Sequence, residues 1–412
     1  MKMKSPCKND RTRKFVLCLD GVSWEVVHEL KARGYFKMFH EPSRVIAPFP
    51  AMTNVSLSTI WQKSAPAGYE GLYFDRAANT LSGGWKGYVR RRVEKPGSFD
   101  ELMHYTEPKP YEFLIYVFPD WIVQADLKRC LKAYYSHDGE VLRAYIRSSD
   151  GLTHVGGRKK LEPFLIHVDA ALSKIYQERE GKTELALFSD HGNNFVRSQR
   201  VPLDAYLKQC GFEVADTIKN ARSVVIPAFG LVNYAAVYTQ EENRPRVANL
   251  LAKLAAVDLC LYRSGATAYL IGRHGEATIE FDSEGDAYLY RASSGDPLEL
   301  NPLLDSLAKA SKVTRAGYVR DADWFDATKD HKYPDAVYRA YRGIHSQVQN
   351  NADVLISLKD GYFYGNQLFD KLVTIEATHG SLRDTSSLAF YMSTHVSAPS
   401  HLRGGWLRAY LP

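Results

Sequence analysis

Lys14-Phe15-Val16-Leu17-Cys18-Leu19-Asp20-Gly21 and Glu184-Leu185-Ala186-Leu187-Phe188-Ser189-Asp190-His191-Gly192 decide the fold of this chain. Each is a short apolar run that stops abruptly at a charged residue and a glycine. Runs of this length with no polar alternation read as strands buried on both faces, as in α/β sheets. Cys18 sits inside the first run and reads as a small hydrophobe. In open α/β sheets ligands bind beyond the carboxyl ends of the strands. A short acidic or imidazole side chain placed there points into the crevice, and the adjacent glycine lets the backbone turn sharply.

Working outward, Trp24, Val27, Leu30 and Tyr35 recur at helical spacing until Pro42, and Val45-Ile46-Ala47 reads as a short strand. Met52 to Trp61 reads as the opening of a helix rich in residues that favour helix starts. Residues 68–97 are rich in Gly, Tyr and Arg and read as a surface loop, residues 112–118 as a strand, and residues 161–178 as a helix. Several β-rich runs occupy residues 222–290, with a helix near 244–256, and residues 300–345 look helical and loop-rich. Residues 354–358 return to strand before His379-Gly380. Strands alternating with helices predict an α/β sheet. Residues 1–200 and 346–412 are expected to form its core, and 201–345 an inserted α+β cap or second lobe.

At 412 residues, 45% hydrophobic, 24% charged and 12% aromatic, the chain has the composition of an ordinary globule, not of a disordered segment. Its length gives a prior of two to three domains at roughly 150 residues each. The net charge of +6 is thinly spread, so it argues only weakly for an anionic partner. Five cysteines, odd in number and with no C-x-x-C pair, do not form a disulfide scaffold. No run approaches the ~18 apolar residues of a membrane span, and the polar N-terminus lacks a signal-peptide core. The expectation is a reduced, soluble, cytoplasmic protein without membrane contact.

Asp20, Asp190-His191 and His379 each precede a glycine, and Ser149-Asp150-Gly151-Leu152-Thr153-His154 adds a carboxylate and an imidazole four residues apart. Three carboxylates and three imidazoles form a nitrogen and oxygen donor set suited to divalent zinc, with manganese possible. Two such ions about 4 Å apart would hold the attacking and leaving oxygens of a phosphoryl displacement. Pro50-Ala51-Met52-Thr53 puts a hydroxyl at a helix start, where phosphate is attracted by free N–H groups. Taken alone such a threonine reads as an N-cap. Coordinated to a metal ion it would become a nucleophile. Asn54 beside it is the candidate substrate contact.

Taken together, these motifs resemble the alkaline phosphatase superfamily, and within it the type I phosphodiesterase/nucleotide pyrophosphatase group. The group's pattern is Asp-Gly, Pro-x-x-Thr, Asp-x-x-x-His, Asp-His-Gly and a late His-Gly. This chain carries all five in that order, from Asp20 to His379. The resemblance implies a mixed, mostly parallel sheet flanked by helices, with an inserted cap. It implies one zinc held by Asp20, Thr53, Asp190 and His191, and another by Asp150, His154 and His379. Thr53 would attack phosphorus, giving a phospho-threonine intermediate that water then releases, with a small phosphorylated molecule as substrate. Two departures stand out. Ser149 and Thr153 replace a proline and a glycine of the group's pattern, and after the nucleophile helix no asparagine stands in register, where Tyr69-Glu70-Gly71 stands instead. Nucleotide specificity is therefore not implied.

A phosphomonoesterase or phosphonate hydrolase on the same metal core is the alternative, and a binding scaffold that has lost catalysis is the alternative of another class. The lack of a Cys/Ser-x-Pro-x-Arg motif near position 53 argues against a sulfatase. Lys86 and Arg90 to Arg92, interleaved with Trp85 and Tyr88, could touch nucleic acid but read more simply as a solvated loop. His167 and Asp169 read as helix-surface residues, and the remaining histidines lack a ligand-like context.

Overall fold

A computed structural model describes residues 13–84, 97–108, 114–366 and 374–412. The elements that build the central sheet and its cover are β1 (Arg13–Leu19), α1 (Trp24–Ala32), β2 (Ser43–Ile46), α2 (Thr53–Ile60), β3 (Tyr105–Thr106), α3 (Pro119–Ser136), β4 (Val141–Ile146), α4 (Ser148–Glu178), β5 (Thr183–Phe188), β6 (Leu388–Ser393) and β7 (His401–Arg403). Their order across the sheet is β7-β2-β6-β5-β1-β4-β3. All neighbours are parallel except β6, which runs antiparallel to both β2 and β5.

The apolar run of β1 is continuous because both faces of the strand are covered, and its side chains alternate between them. Phe15, Leu17 and Leu19 pack with Val27 and Leu30 of α1, Val123 and Leu127 of α3, and Leu161 and Leu165 of α4. Val16 and Cys18 face the other way, against Leu57 and Ile60 of α2 and Leu407 near the C-terminus. At roughly 1.5–3 kcal/mol for each large apolar side chain fully buried, this central strand anchors the loops that leave its carboxyl end.

A second seven-stranded sheet, antiparallel throughout, runs Tyr234–Val237, Val354–Leu358, Val257–Ser264, Thr267–Gly272, Gly275–Asp282, Ala287–Gly295 and Val319–Arg320. The helix Ala336–His345 lies in the core on one side of it, with Val337, Ala340 and Ile344 buried against Leu259, Leu261 and Leu270. Leu203–Gln209 and Arg244–Leu251 cover the other side, around Cys260 and Ile356. The sheet's second strand, Val354–Leu358, comes from beyond the helical region, so the chain passes through this lobe before returning to the central sheet.

Three expectations are corrected. The described part of residues 112–118 is not a strand. Leu114, Val117 and Phe118 are exposed in a turn that enters α3, and residues 109–113 lie outside the described residues. The strand actually present is β4, whose apolar run is interrupted by Arg143. The helix expected at 161–178 begins at Ser148 and is merged across a kink at Gly157, where φ is 56°. Finally, α1 ends at Ala32, so Tyr35 lies beyond it, after Gly34 at φ 95°. Cys18, Cys130, Cys210 and Cys260 are free thiols. No helix among the described residues is long and apolar enough to cross a membrane. The basic loop at Lys86 and Arg90 to Arg92, and Cys7, lie outside the described residues.

Candidate metal centre

Asp20 and Asp190 leave the carboxyl ends of the adjacent parallel strands β1 and β5, which places their carboxylates side by side. Asp150 and His154 lie in the first turns of α4, one helical turn apart, so both face the same side, and His154 Nε2 is 3.0 Å from Asp150 Oδ2. That first turn is pinned by buried Asp126, which accepts hydrogen bonds from the Ser148 hydroxyl and from Tyr105. His379 does not follow a strand. Its loop is held by Asn233, whose N–H donates to the His379 carbonyl at 2.8 Å, and by Ala51, whose N–H donates to the Gly380 carbonyl at 3.3 Å. Asn233, next to the first strand of the second sheet, thus holds the backbone that carries one of the site's imidazoles.

The donors converge. Asp20, Asp190 and His191 offer ligand atoms within 4.8 Å of one another, and so do Asp150, His191 and His379. His191 belongs to both groups, so they form one continuous cluster, whereas the resemblance divides it into separate sets. His154 joins through Asp150. Thr53 is the first residue of α2, with Met52 at the cap position, and its hydroxyl does not cap the helix. It donates instead to Asp20 Oδ1 at 3.3 Å and lies 3.2 Å from His191 Nε2.

Each ligand candidate has one atom tied to the protein and one left over. His154 Nδ1 lies 2.8 Å from the Ala377 carbonyl, His379 Nδ1 2.8 Å from the Ala51 carbonyl, and His191 Nδ1 3.1 Å from the Gly192 carbonyl. Donating there fixes the tautomer and leaves Nε2 as the ligand atom of each ring. Asp20 Oδ2 accepts from Tyr145, Asp190 Oδ1 from the Gly21 N–H at 3.1 Å, and Asp150 Oδ1 from Asn193 Nδ2 at 3.0 Å.

The charged groups crowd one another in a buried site. Burial, reinforced by Asp190 and Asp150, pushes Asp20 well above the usual carboxylate range. Burial also raises Asp190, against the pull of His191. For Asp150 burial acts upward but is outweighed by His154 and His379, which hold it below that range. Burial and His191 drive His379 well down. Asp190 Oδ2 is fully buried with no hydrogen-bond partner. An orphaned buried carboxylate oxygen costs about 1–3 kcal/mol or more unless something satisfies it. The donor chemistry, crowded acids and orphaned oxygen all fit divalent cations.

Gly21 makes the convergence possible. Its φ is +66°, and a Cβ there would lie 2.2 Å from Asp150 Oδ1 and 2.7 Å from Asn193 Nδ2. Gly21→Ala is expected to push Asp150 out of line and to cost about 1–3 kcal/mol. Urea unfolding together with a metal-content measurement checks both effects.

Ser149 and Thr153, where the resembled pattern has proline and glycine, act as braces. Ser149 Oγ donates to the Asp20 carbonyl at 2.8 Å, and Thr153 Oγ1 to the Ser149 carbonyl at 2.7 Å. In the segment after α2, Glu70 accepts from the Gly230 N–H at 2.7 Å and from Tyr234 at 2.8 Å. That segment is thereby tied to the second lobe. Asn54 is partly exposed in the first turn of α2, beside Thr53. His167 and Asp169 stay away from the cluster: His167 pairs with Gln124, and Asp169 accepts from the Phe36 N–H. Arg158 is ion-paired to Glu29 and Glu162, and Lys160 to Asp120. Tyr145, Ser149 and Asn193 were not legible as site residues. Only the position of Asn193 directly after Asp190-His191-Gly192 offered a signal.

No protein-family model matches the chain, and no curated protein matches it by sequence. Its fold is shared with solved structures of low sequence identity. It superposes on human ectonucleotide pyrophosphatase/phosphodiesterase 5 with a TM-score of 0.51 and 11% identity, covering 97% of this chain and 93% of that one. It also superposes on phosphonoacetate hydrolase from Sinorhizobium meliloti 1021, solved with phosphonoformate, with a TM-score of 0.52 and 11% identity, covering 97% of this chain and 95% of that one.

Proposed function

We propose that this protein is a metal-dependent phosphoryl hydrolase that cleaves a phosphodiester or phosphoanhydride through Thr53. The observation that carries the reading is the Thr53 hydroxyl at the start of α2, set against Asp20 and His191 within the three-carboxylate, three-imidazole cluster. Asp20, Thr53, Asp190 and His191 would hold one divalent ion and Asp150, His154 and His379 the other, with zinc the first choice by donor type and manganese the second. The ions supply Lewis acidity, lowering the cost of ionising a hydroxyl and neutralising charge on phosphate.

The chain's own residues supply the rest. The opening N–H groups of α2 have no partner within the helix and attract phosphate oxygens, placing phosphorus next to Thr53 Oγ1. Asp20 Oδ1 orients the Thr53 hydroxyl, whose proton passes to solvent water as its oxygen attacks phosphorus. The P–O bond on the opposite side breaks, and the leaving oxygen departs with its electron pair. Water then attacks phosphorus of the phospho-threonine and regenerates the hydroxyl. Asn54 is the nearest candidate to contact a substrate oxygen.

The test is a paired assay on zinc-loaded and manganese-loaded protein, comparing bis-p-nitrophenyl phosphate, p-nitrophenyl phosphate and phosphonoacetate. Faster diester cleavage is the expected result. Faster monoester or phosphonate cleavage would replace the diester reading with the corresponding alternative on the same centre. Failure to bind any metal, together with silence on all three substrates, would leave a scaffold without catalysis.

A further inference from the structure

We propose that Tyr145 and Asn193 are positioning residues, each locking one oxygen of a site carboxylate and thereby assigning the other oxygen to one ion of the pair. This inference rests on the two-ion reading above.

The Tyr145 hydroxyl, fully buried at the end of β4, donates to Asp20 Oδ2. A phenol facing a carboxylate oxygen acts as the donor, since the carboxylate can only accept. Asp20 is left with Oδ1, the oxygen that faces Thr53 and His191 at 3.3 Å and 3.4 Å. Asn193 Nδ2 donates to Asp150 Oδ1 at 3.0 Å and to the Gly21 carbonyl at 2.7 Å. Both partners are acceptors, so the amide orientation is determined: turned over, its oxygen would face two oxygens. Asp150 is left with Oδ2, the oxygen that faces His154 at 3.0 Å and His379 at 3.7 Å. The backbone of Asn193 is anchored in turn, its N–H donating to Ser23 Oγ at 2.7 Å.

A carboxylate free to rotate can chelate one ion with both oxygens or swing away. One held at a single oxygen presents the other at a defined point. Partners of this kind are commonly worth 10–100-fold in metal affinity. Because Tyr145 touches only the Asp20 side and Asn193 touches the Asp150 carboxylate, their losses should fall on different ions.

The experiment is a calorimetric titration of metal-stripped protein with zinc in a chelator-buffered series. Asp190→Asn and His154→Ala identify which binding event belongs to which site. Tyr145→Phe should weaken the event that Asp190→Asn removes by 10–100-fold and leave the other within about threefold. Asn193→Leu should do the reverse, and Asn193→Asp, which keeps the shape but sets an acceptor against Asp150 Oδ1, should weaken the same event further. Circular dichroism of the stripped variants confirms folding, and the Asp and Leu variants give two routes should one fail to fold. Two wild-type events that persist unchanged in all three variants, or that weaken equally, would overturn the positioning role while leaving the hydrolase reading intact. Fewer than two wild-type events would remove that reading and this inference with it.

Discussion

Thr53→Ala is expected to lower turnover of a diester by roughly 10³-fold or more while leaving both ions bound. The argument is geometric. Thr53 Oγ1 is the hydroxyl that stands between Asp20 Oδ1 and His191 Nε2 at the opening of α2. Removing it leaves three carboxylates and three imidazoles to hold metal, so metal content should stay near wild type. The residue is partly exposed, and its hydroxyl does not cap the helix, so stability should change by less than about 1 kcal/mol. Thr53→Ser keeps the oxygen and should retain activity within about tenfold. Steady-state kinetics on bis-p-nitrophenyl phosphate, with metal quantified on the same samples, checks all three statements. Near-normal turnover by the alanine variant would remove Thr53 as nucleophile.

Stripping the ions is expected to destabilise the whole chain, not only to silence it. Asp20 and Asp190 are buried beside each other and pushed toward their neutral forms, and Asp190 Oδ2 has no partner. A ligand that binds only the folded state at 1,000-fold above its Kd stabilises by about 4 kcal/mol. For a protein of this size that corresponds to a fall of roughly 5 °C in Tm for each ion removed. Adding back zinc or manganese should restore it. Scanning calorimetry with and without chelator reads the effect, and an unchanged Tm would argue that the cluster holds no metal in solution.

The parts of the site most legible in the sequence were those in which local pattern and chemistry coincide. Asp20 and Asp190-His191 terminate uninterrupted apolar runs, and such runs become the interior strands β1 and β5 because only a doubly covered strand can be apolar on both faces. Asp150 and His154 were legible by their spacing, although the helix that carries them was not. Gly151, Gly156, Gly157 and Pro163 weaken its helical pattern, and packing against α3 outweighs that weakness. β4 is hard to read from sequence because Arg143 interrupts its apolar run. His379 follows no strand, and its loop is shaped by contacts from Asn233 and Ala51, far away in sequence.

The sequence by itself determined the α/β class, the donor types and their order, because strand burial and metal chemistry are written in single residues and short spacings. Only the tertiary structure decided that His191 serves both donor groups, that Thr53 turns its hydroxyl toward Asp20 instead of capping its helix, and that Tyr145 and Asn193 each claim one carboxylate oxygen. The hydrogen bonds of Thr53, Tyr145 and Asn193 join residues 33 to 138 positions apart in the chain, and a hydrogen bond across such a separation exists only once the sheet has brought the strand ends together.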